Sequence, residues 1–197
     1  MLVAAFAQLL TAGQDPLSFD VRAINPTDGL PIGDLGGISG EHWLGVEPLT
    51  GRDLFARLVV ALQFSLGLAF GAAVVEVLLG LVVAIVVRRG GVRAVQGRGY
   101  PRDGQHGCRG LLRPALMYAA LLVPLNLLVE VWFGYQGVGL RPPPEPSWGG
   151  MLADATLWFR HDPAYLLVPG SLLMVTVTSF LLLAAGLSGR SPERQEP

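Results

Sequence analysis

The sequence contains no lysine; all 14 basic residues among its 197 are arginine. The phosphate-binding loop of nucleotide hydrolases sets a lysine on the β- and γ-phosphates, so a P-loop ATPase of that kind is excluded. Charge of either sign is scarce. Charged residues make up 15% of the chain, against roughly 25% in soluble domains. The net charge of −1 argues against nucleic acid as a partner. A single cysteine, Cys108, excludes an internal disulfide. HExxH and CxxC spacings are absent, and His42, His106 and His161 are scattered, which gives no zinc site. No nucleophile–base pairing stands out, so the sequence points to no enzyme and implies no cofactor.

What is present is apolar. Hydrophobic residues make up 51% of the chain and the mean hydropathy is +0.49. Three runs, 58–87, 111–131 and 165–187, reach the ~20 residues a helix needs to cross a bilayer. The first would extend ~45 Å against a hydrocarbon core of ~30 Å, so it tilts or begins in the interface. The sequence therefore predicts an all-α fold: a polytopic membrane helix bundle with three full spans and a partial N-terminal apolar helix. That partial helix, residues 1–12, is too short to cross and lacks the basic n-region of a signal peptide. It reads as a truncated first membrane helix.

Arginine placement sets the orientation. Residues 88–113 carry seven arginines and one acid, whereas 13–53 carry two arginines and seven acids. The positive-inside rule puts the loop 88–110 in the cytoplasm. Segments 13–57 and 132–164 are then extracytoplasmic, and 188–197 forms a cytoplasmic tail. Trp148, in the proline-rich connector RPPPEPSWGG, is expected at the membrane interface, its N–H meeting water. GYQGVG (134–139) follows an apolar helix rather than a strand and reads as a helix-ending turn.

Individual residues in the spans draw attention. Glu76 and Glu130 are intramembrane carboxylates, which usually face protein or water. Asn126 and Glu130 stand at i,i+4 on one helix face, either lining a pathway or placing Glu130 at the outer interface near Trp132. Glu76 requires a polar neighbour. Gly67 and Gly71 have the small-xxx-small spacing that favours close helix packing over a ligand role.

Three segments in order carry a family likeness. GEHWLGVEPLTGRDLFARL (40–58) precedes a long apolar helix, EVWFGYQGVGLRPPPEPSWGGMLADA covers 130–155, and PAYLLVPGSLLMVTVTSFLLLAAGL covers 163–187. Together they resemble the dipeptide/oligopeptide/nickel permease family of ABC transporters. The resemblance implies a multi-pass subunit of the inner or plasma membrane lining a translocation path. It implies as partners a second permease subunit, cytoplasmic ATPase subunits, an extracytoplasmic solute-binding protein and the lipid bilayer. ATP hydrolysis would belong to the partners, in line with the missing lysine.

The chain departs from the family pattern in its centre. Two helices that members have between 87 and 111 are missing, so the chain reads as truncated and internally deleted. RDGQHGCRGLLRP (102–114) is what remains of the ATPase-coupling loop, with Arg102, Gly107 and Arg109 as its coupling residues. The function expected is that of a membrane-spanning permease subunit of an ATP-driven importer for peptides or a related solute. The alternative is a degenerate, non-transporting fragment, or an accessory protein that binds another permease subunit.

Overall fold

A computed structural model describes residues 15–95, 108–141 and 143–188, without side-chain placement for 87–95 and 108–114. Its regular elements are four helices: α1 Leu54–Val95, α2 Cys108–Tyr135, α3 Trp148–Trp158 and α4 Pro163–Ser188. Strand-like pairing is confined, among the described residues, to two isolated bridges, Ile24 with Pro31 and Val46 with Asp53. Segments Leu54–Val86, Ala115–Tyr135 and Pro163–Ser188 are long and apolar enough to cross a membrane.

The helix ends are written locally. Asp53 caps α1, its Oδ1 accepting from the Ala56 N–H at 2.6 Å. Ser147 caps α3 from an extended backbone, its Oγ accepting from Gly150 N–H at 3.2 Å. Asp162 caps α4 by accepting from Ala164 N–H at 3.1 Å, followed by Pro163 at the first helical position, where a missing N–H costs nothing. α2 stops in a Schellman turn. Val138 N–H bonds Phe133 O, Gly137 N–H bonds Gly134 O, and Gly137 sits at φ +75°, the conformation this turn requires at that position. GYQGVG is thus the helix-ending turn its sequence indicates.

The boundaries differ from the sequence expectation in an informative way. α1 begins at Leu54 rather than 58 because Asp53 supplies the cap. α2 continues to Tyr135 rather than 131, up to the first glycine turn. The segment 132–164 is not merely a connector, since it contains the whole of α3. Trp148 is not at an interface either: it is fully buried and its indole N–H donates to Pro169 O at 3.0 Å. A ring whose one polar atom finds a protein acceptor gains more from burial than from a wet boundary.

The chain divides into two compact units. One comprises residues 15–68 with 127–176; the other comprises 69–126 with the chain from 177 onward. The first unit holds the described hydrophobic core: Leu54, Leu58, Ala61, Met151, Ala155 and Tyr165, flanked by Leu44 and Trp158. In the second, long side chains of α1 such as Val74, Val75, Leu78, Leu79, Val82 and Val83 point outward. A helix apolar around its whole circumference is matched to hydrocarbon rather than water.

Candidate functional site

The first unit is organised around one buried carboxylate. Glu47 is 6% exposed. Its Oε1 accepts from the Tyr165 hydroxyl at 2.8 Å and its Oε2 from the Thr50 hydroxyl at 2.6 Å. Two guanidiniums flank it: Arg57 lies 3.7 Å from Oε1 and Arg52 lies 3.8 Å from Oε2. Arg57 is itself 4% exposed and also donates to Pro144 O at 3.4 Å. The sequence places these groups together by simple means. VEPLTGRD forms a tight loop closed by Glu47 N–H to Arg52 O and Gly51 N–H to Glu47 O. That loop aims both Glu47 and Arg52 inward, and the first turn of α1 adds Arg57. Tyr165 arrives from the first turn of α4.

A second buried pair lies one turn away. His42 Nδ1 and Asp53 Oδ2 are 2.8 Å apart, and His42 Nε2 faces Asp20 Oδ2 at 3.7 Å. Asp53 therefore both caps α1 and holds the His42 ring, which ties the HWLG segment to the helix start. Gly45 in that segment adopts φ +85° and lies so close to Gly36 O that no Cβ fits. On the far side of the unit, α3 crosses α2 with Gly149 against Val131 O and the Tyr135 amide, where again a Cβ has no room. Each of the residue runs that carry the family likeness thus has a packing or hydrogen-bonding reason in this unit.

A cleft of about 190 Å³ opens beside the cluster, with Arg52, Arg57, Tyr135, Arg141, Glu145 and Asp154 among its lining residues. Arg141 is held by Glu145 at 3.2 Å and lies over the Phe64 ring at 4.6 Å. Desolvation, with the nearby Glu47 carboxylate adding to it, pushes the Asp154 carboxyl above its ordinary value, against the pull of Arg57 and Arg52. Burial likewise raises Asp162, opposed by the backbone hydrogen bonds from Tyr165 and Ala164. Pockets for drug-sized ligands run ≈ 300–1,000 Å³, so this cleft is too small to hold a peptide. What the arrangement does chemically is lock together the first turns of α1 and α4, the end of α2, and α3.

The residues singled out from sequence fall into separate places. Glu76 finds its polar neighbour in Asn126, whose Nδ2 donates to Glu76 Oε2 at 3.1 Å. Asn126 therefore serves Glu76. Glu130 is 7% exposed and Ser65 is fully buried, and neither the Glu130 carboxyl oxygens nor Ser65 Oγ has a hydrogen-bond partner among the described residues. The expectation of close helix packing at Gly67 and Gly71 is not met within this chain. Both are exposed, and a Cβ on either would meet nothing within 4 Å. Arg102 and Gly107 lie outside the described residues, and Arg109 lies in the first turn of α2. Sequence reasoning missed Glu47, Arg57, His42, Asp53 and Tyr165. The usable signal was four ionisable residues (Glu47, Arg52, Asp53 and Arg57) within a stretch otherwise short of charge.

Comparison with known proteins gives the site its context. No protein-family model matches the chain. A dipeptide transport system permease protein of Alkalihalophilus pseudofirmus is 25% identical over 256 aligned residues, covering 95% of this chain and 80% of that protein. A glutathione transport system permease protein of Salmonella typhimurium is 24% identical over 255 residues, with the same coverage of 95% and 80%. An oligopeptide transport system permease protein of Escherichia coli K12 is 26% identical over 136 residues, covering 68% of this chain and 44% of that protein. The chain is a homologue, at low identity, of transport permeases rather than of enzymes. The 256 aligned positions of the first comparison exceed the chain's 197 residues, so part of that relative stands opposite gaps inside this chain.

Proposed function

We propose that this chain is a membrane-spanning permease subunit of an ATP-driven importer for peptides or a related solute. The observation that carries the reading is the similarity to dipeptide, oligopeptide and glutathione transport permeases along 68–95% of the chain. The packed unit adds physical support, because the segments of family likeness are the ones that build it. In this reading the unit built on Glu47 is an extracytoplasmic cap that fixes the outer ends of α1, α2 and α4. It gives a solute-binding protein a stiff surface to press on. The small cleft beside Glu47 does not hold the solute; the path forms with a second permease subunit. Power comes from cytoplasmic ATPase subunits that engage the region of Arg102, Gly107 and Arg109. In this reading central helices lost between 87 and 111 would account for gaps of that size.

The test is affinity purification of the full chain from its native membrane in mild detergent, followed by uptake of labelled di- and oligopeptides into proteoliposomes made from the isolated complex. An ATPase subunit and a second permease should co-purify, and uptake should require ATP. Recovery of the second permease without an ATPase, and without uptake, would make the chain an accessory protein that does not transport.

A further inference from the structure

Glu76 and Asn126 meet in the second unit, where Asn126 Nδ2 donates to Glu76 Oε2 at 3.1 Å. Both lie deep in their spans. Glu76 is separated from Arg88 by the uncharged run 77–87 and from Arg57 by the longer uncharged run 58–75. The shorter run makes ~16 Å of helix, about half of a ~30 Å hydrocarbon core. Asn126 stands near the middle of the span Ala115–Tyr135. The pair is not closed over: Glu76 is exposed and Asn126 half-buried. Asn126 gives a hydrogen bond but no charge, so a carboxylate stands on the outer surface of the chain at mid-bilayer depth. Such a group is retained where protein or water faces it.

We infer that the Glu76 face of α1 packs against a helix of a different membrane-spanning chain that carries a basic residue at the same depth. Lipid does not suit this face, because acyl chains offer no donor to a carboxylate and headgroups stay at the surfaces. A water-filled path does not suit it either. The residues that share the face within two turns, Ala72, Ala73, Leu79, Gly80 and Val83, are all apolar, and Leu79 and Val83 are exposed. A second copy of this chain brings no cation: residues 58–87, 115–135 and 163–188 contain no arginine, lysine or histidine. Two copies joined here would set carboxylate against carboxylate. Charge complementarity therefore calls for a chain of another sequence, whose basic group completes what Asn126 begins. The inference rests on the permease reading for its bilayer setting, and it specifies which face meets the second subunit and by what chemistry.

The experiment is photo-crosslinking of the full chain in its native membrane, with benzoylphenylalanine in place of Leu79, one turn from Glu76. Sequencing of the adduct should place the link in a transmembrane helix of another protein, within about one turn, ~5.4 Å, of a basic residue. Glu76→Gln keeps the shape and removes the charge, and should lower the adduct fraction about tenfold. Glu76→Arg should abolish the adduct, and Glu in place of the partner's basic residue should restore it. The same probe at Leu78, exposed on the opposite side of α1, should give that adduct at most a tenth as often. The inference is overturned by adducts with lipid or a second copy alone, by a linked helix without a basic residue, or by an undiminished adduct in Glu76→Gln. Co-purification of a second permease and an ATPase alongside any of these results would leave the permease reading standing. A basic-helix adduct with a protein that is no permease would do the reverse.

Discussion

Replacing Tyr165 by Phe tests the account of the cap at its centre. The change removes one hydroxyl and leaves the ring, so packing in the core around Leu54, Leu58 and Met151 is retained. What is lost is the 2.8 Å hydrogen bond to Glu47 Oε1. Hydrogen bonds to charged groups contribute about 1.5–3 kcal/mol, and Glu47 keeps only the Thr50 hydroxyl as a close donor, since its guanidinium neighbours stand 3.7 and 3.8 Å away. Opening of the cap should therefore become about tenfold to a hundredfold more frequent. Glu47→Gln should be worse. It leaves Arg57 buried without its nearest carboxylate, with only the more distant Asp154 carboxyl in reach, and breaking a buried pair from one side costs about 3–5 kcal/mol. In the double variant the hydroxyl would have faced a neutral amide, where a hydrogen bond contributes only about 0.5–1.5 kcal/mol, so the two effects should fall short of additivity by about 1 kcal/mol. Amide hydrogen exchange read by mass spectrometry on detergent-solubilised protein reports the opening directly. The Val46 N–H bonded to Gly36 O and the Leu54 N–H bonded to Gly45 O are suitable probes. Exchange within twofold of the parent for Tyr165→Phe would refute the reasoning, as would a milder effect for Glu47→Gln than for Tyr165→Phe.

Other outcomes follow from the same geometry. Gly149→Ala drives a Cβ into Val131 O and the Tyr135 amide, so α3 must shift off α2. A cost of about 1–3 kcal/mol or more is expected, seen as faster exchange across 148–158. Trp148→Phe removes the indole bond to Pro169 O and leaves a void, and should lower the thermal midpoint of the cap measured by fluorescence. Asp162→Asn keeps the cap on α4, since Asn caps about as well as Asp, but abolishes a buried charge whose Oδ2 has no partner. Because burial raises this carboxyl, the folded state holds its proton more tightly than the unfolded chain. That contribution to stability is full in acid and is lost as pH rises above the ordinary carboxylate range. The variant should match or exceed the parent at neutral pH and gain less on acidification; an unchanged pH slope would count against the assignment. Cys108, the single thiol, should react with a membrane-impermeant maleimide only after the cytoplasmic face is opened, and labelling of intact cells would invert the topology.

How much of this was legible in the sequence depends on the solvent each segment meets. The three spans were readable because hydrocarbon imposes one crude demand, a long run of apolar residues, which composition records directly. Their ends were off by a few residues where a single side chain decides, as Asp53 does for α1. α3 was not legible: WGGMLADATLW has few charges and two glycines, and sits behind four prolines, so propensity gives little sign of a helix. Its burial against α2 depends on two glycines, Gly134 and Gly149, that are far apart in sequence and meet only in the fold. The Glu47 cluster was hidden for a related reason. Tyr165 is 118 positions from Glu47, and a tyrosine at the start of an apolar run looks like an interfacial residue until its acceptor is known. Asn126 and Glu130 were rightly placed one turn apart on a helix, but helix geometry alone could not show that the neighbour of Asn126, Glu76, comes from another helix.

The distribution of charge carries the last step. A chain with so few ionisable residues uses several of them in one buried cluster, where Glu47, Asp53, Arg57 and His42 are all nearly inaccessible. Buried ion pairs are weak sources of stability, because desolvation offsets most of the attraction. Hydrophobic residues of similar volume would hold the cap as firmly, so stability alone does not account for the cluster. What a polar cluster adds is directionality: Glu47 satisfies Tyr165 and Thr50 only when α4 and the 46–53 loop sit in one register, and Asp53 serves His42 and the α1 cap only when the HWLG segment is seated. In a bilayer, apolar helices slide against lipid and one another at little cost, since packing against a neighbour and packing against acyl chains are alike. A cap with directional contacts at the ends of α1 and α4 supplies the alignment that the spans themselves cannot. On that argument, replacing the whole Glu47–Arg57–Tyr165 set by Leu–Met–Phe should leave cap stability within about 1–2 kcal/mol of the parent. It should nevertheless broaden the distance between spin labels on the 15–53 segment and on the 159–162 loop, measured by pulsed electron resonance. A distribution as narrow as the parent's would show that packing alone sets the register.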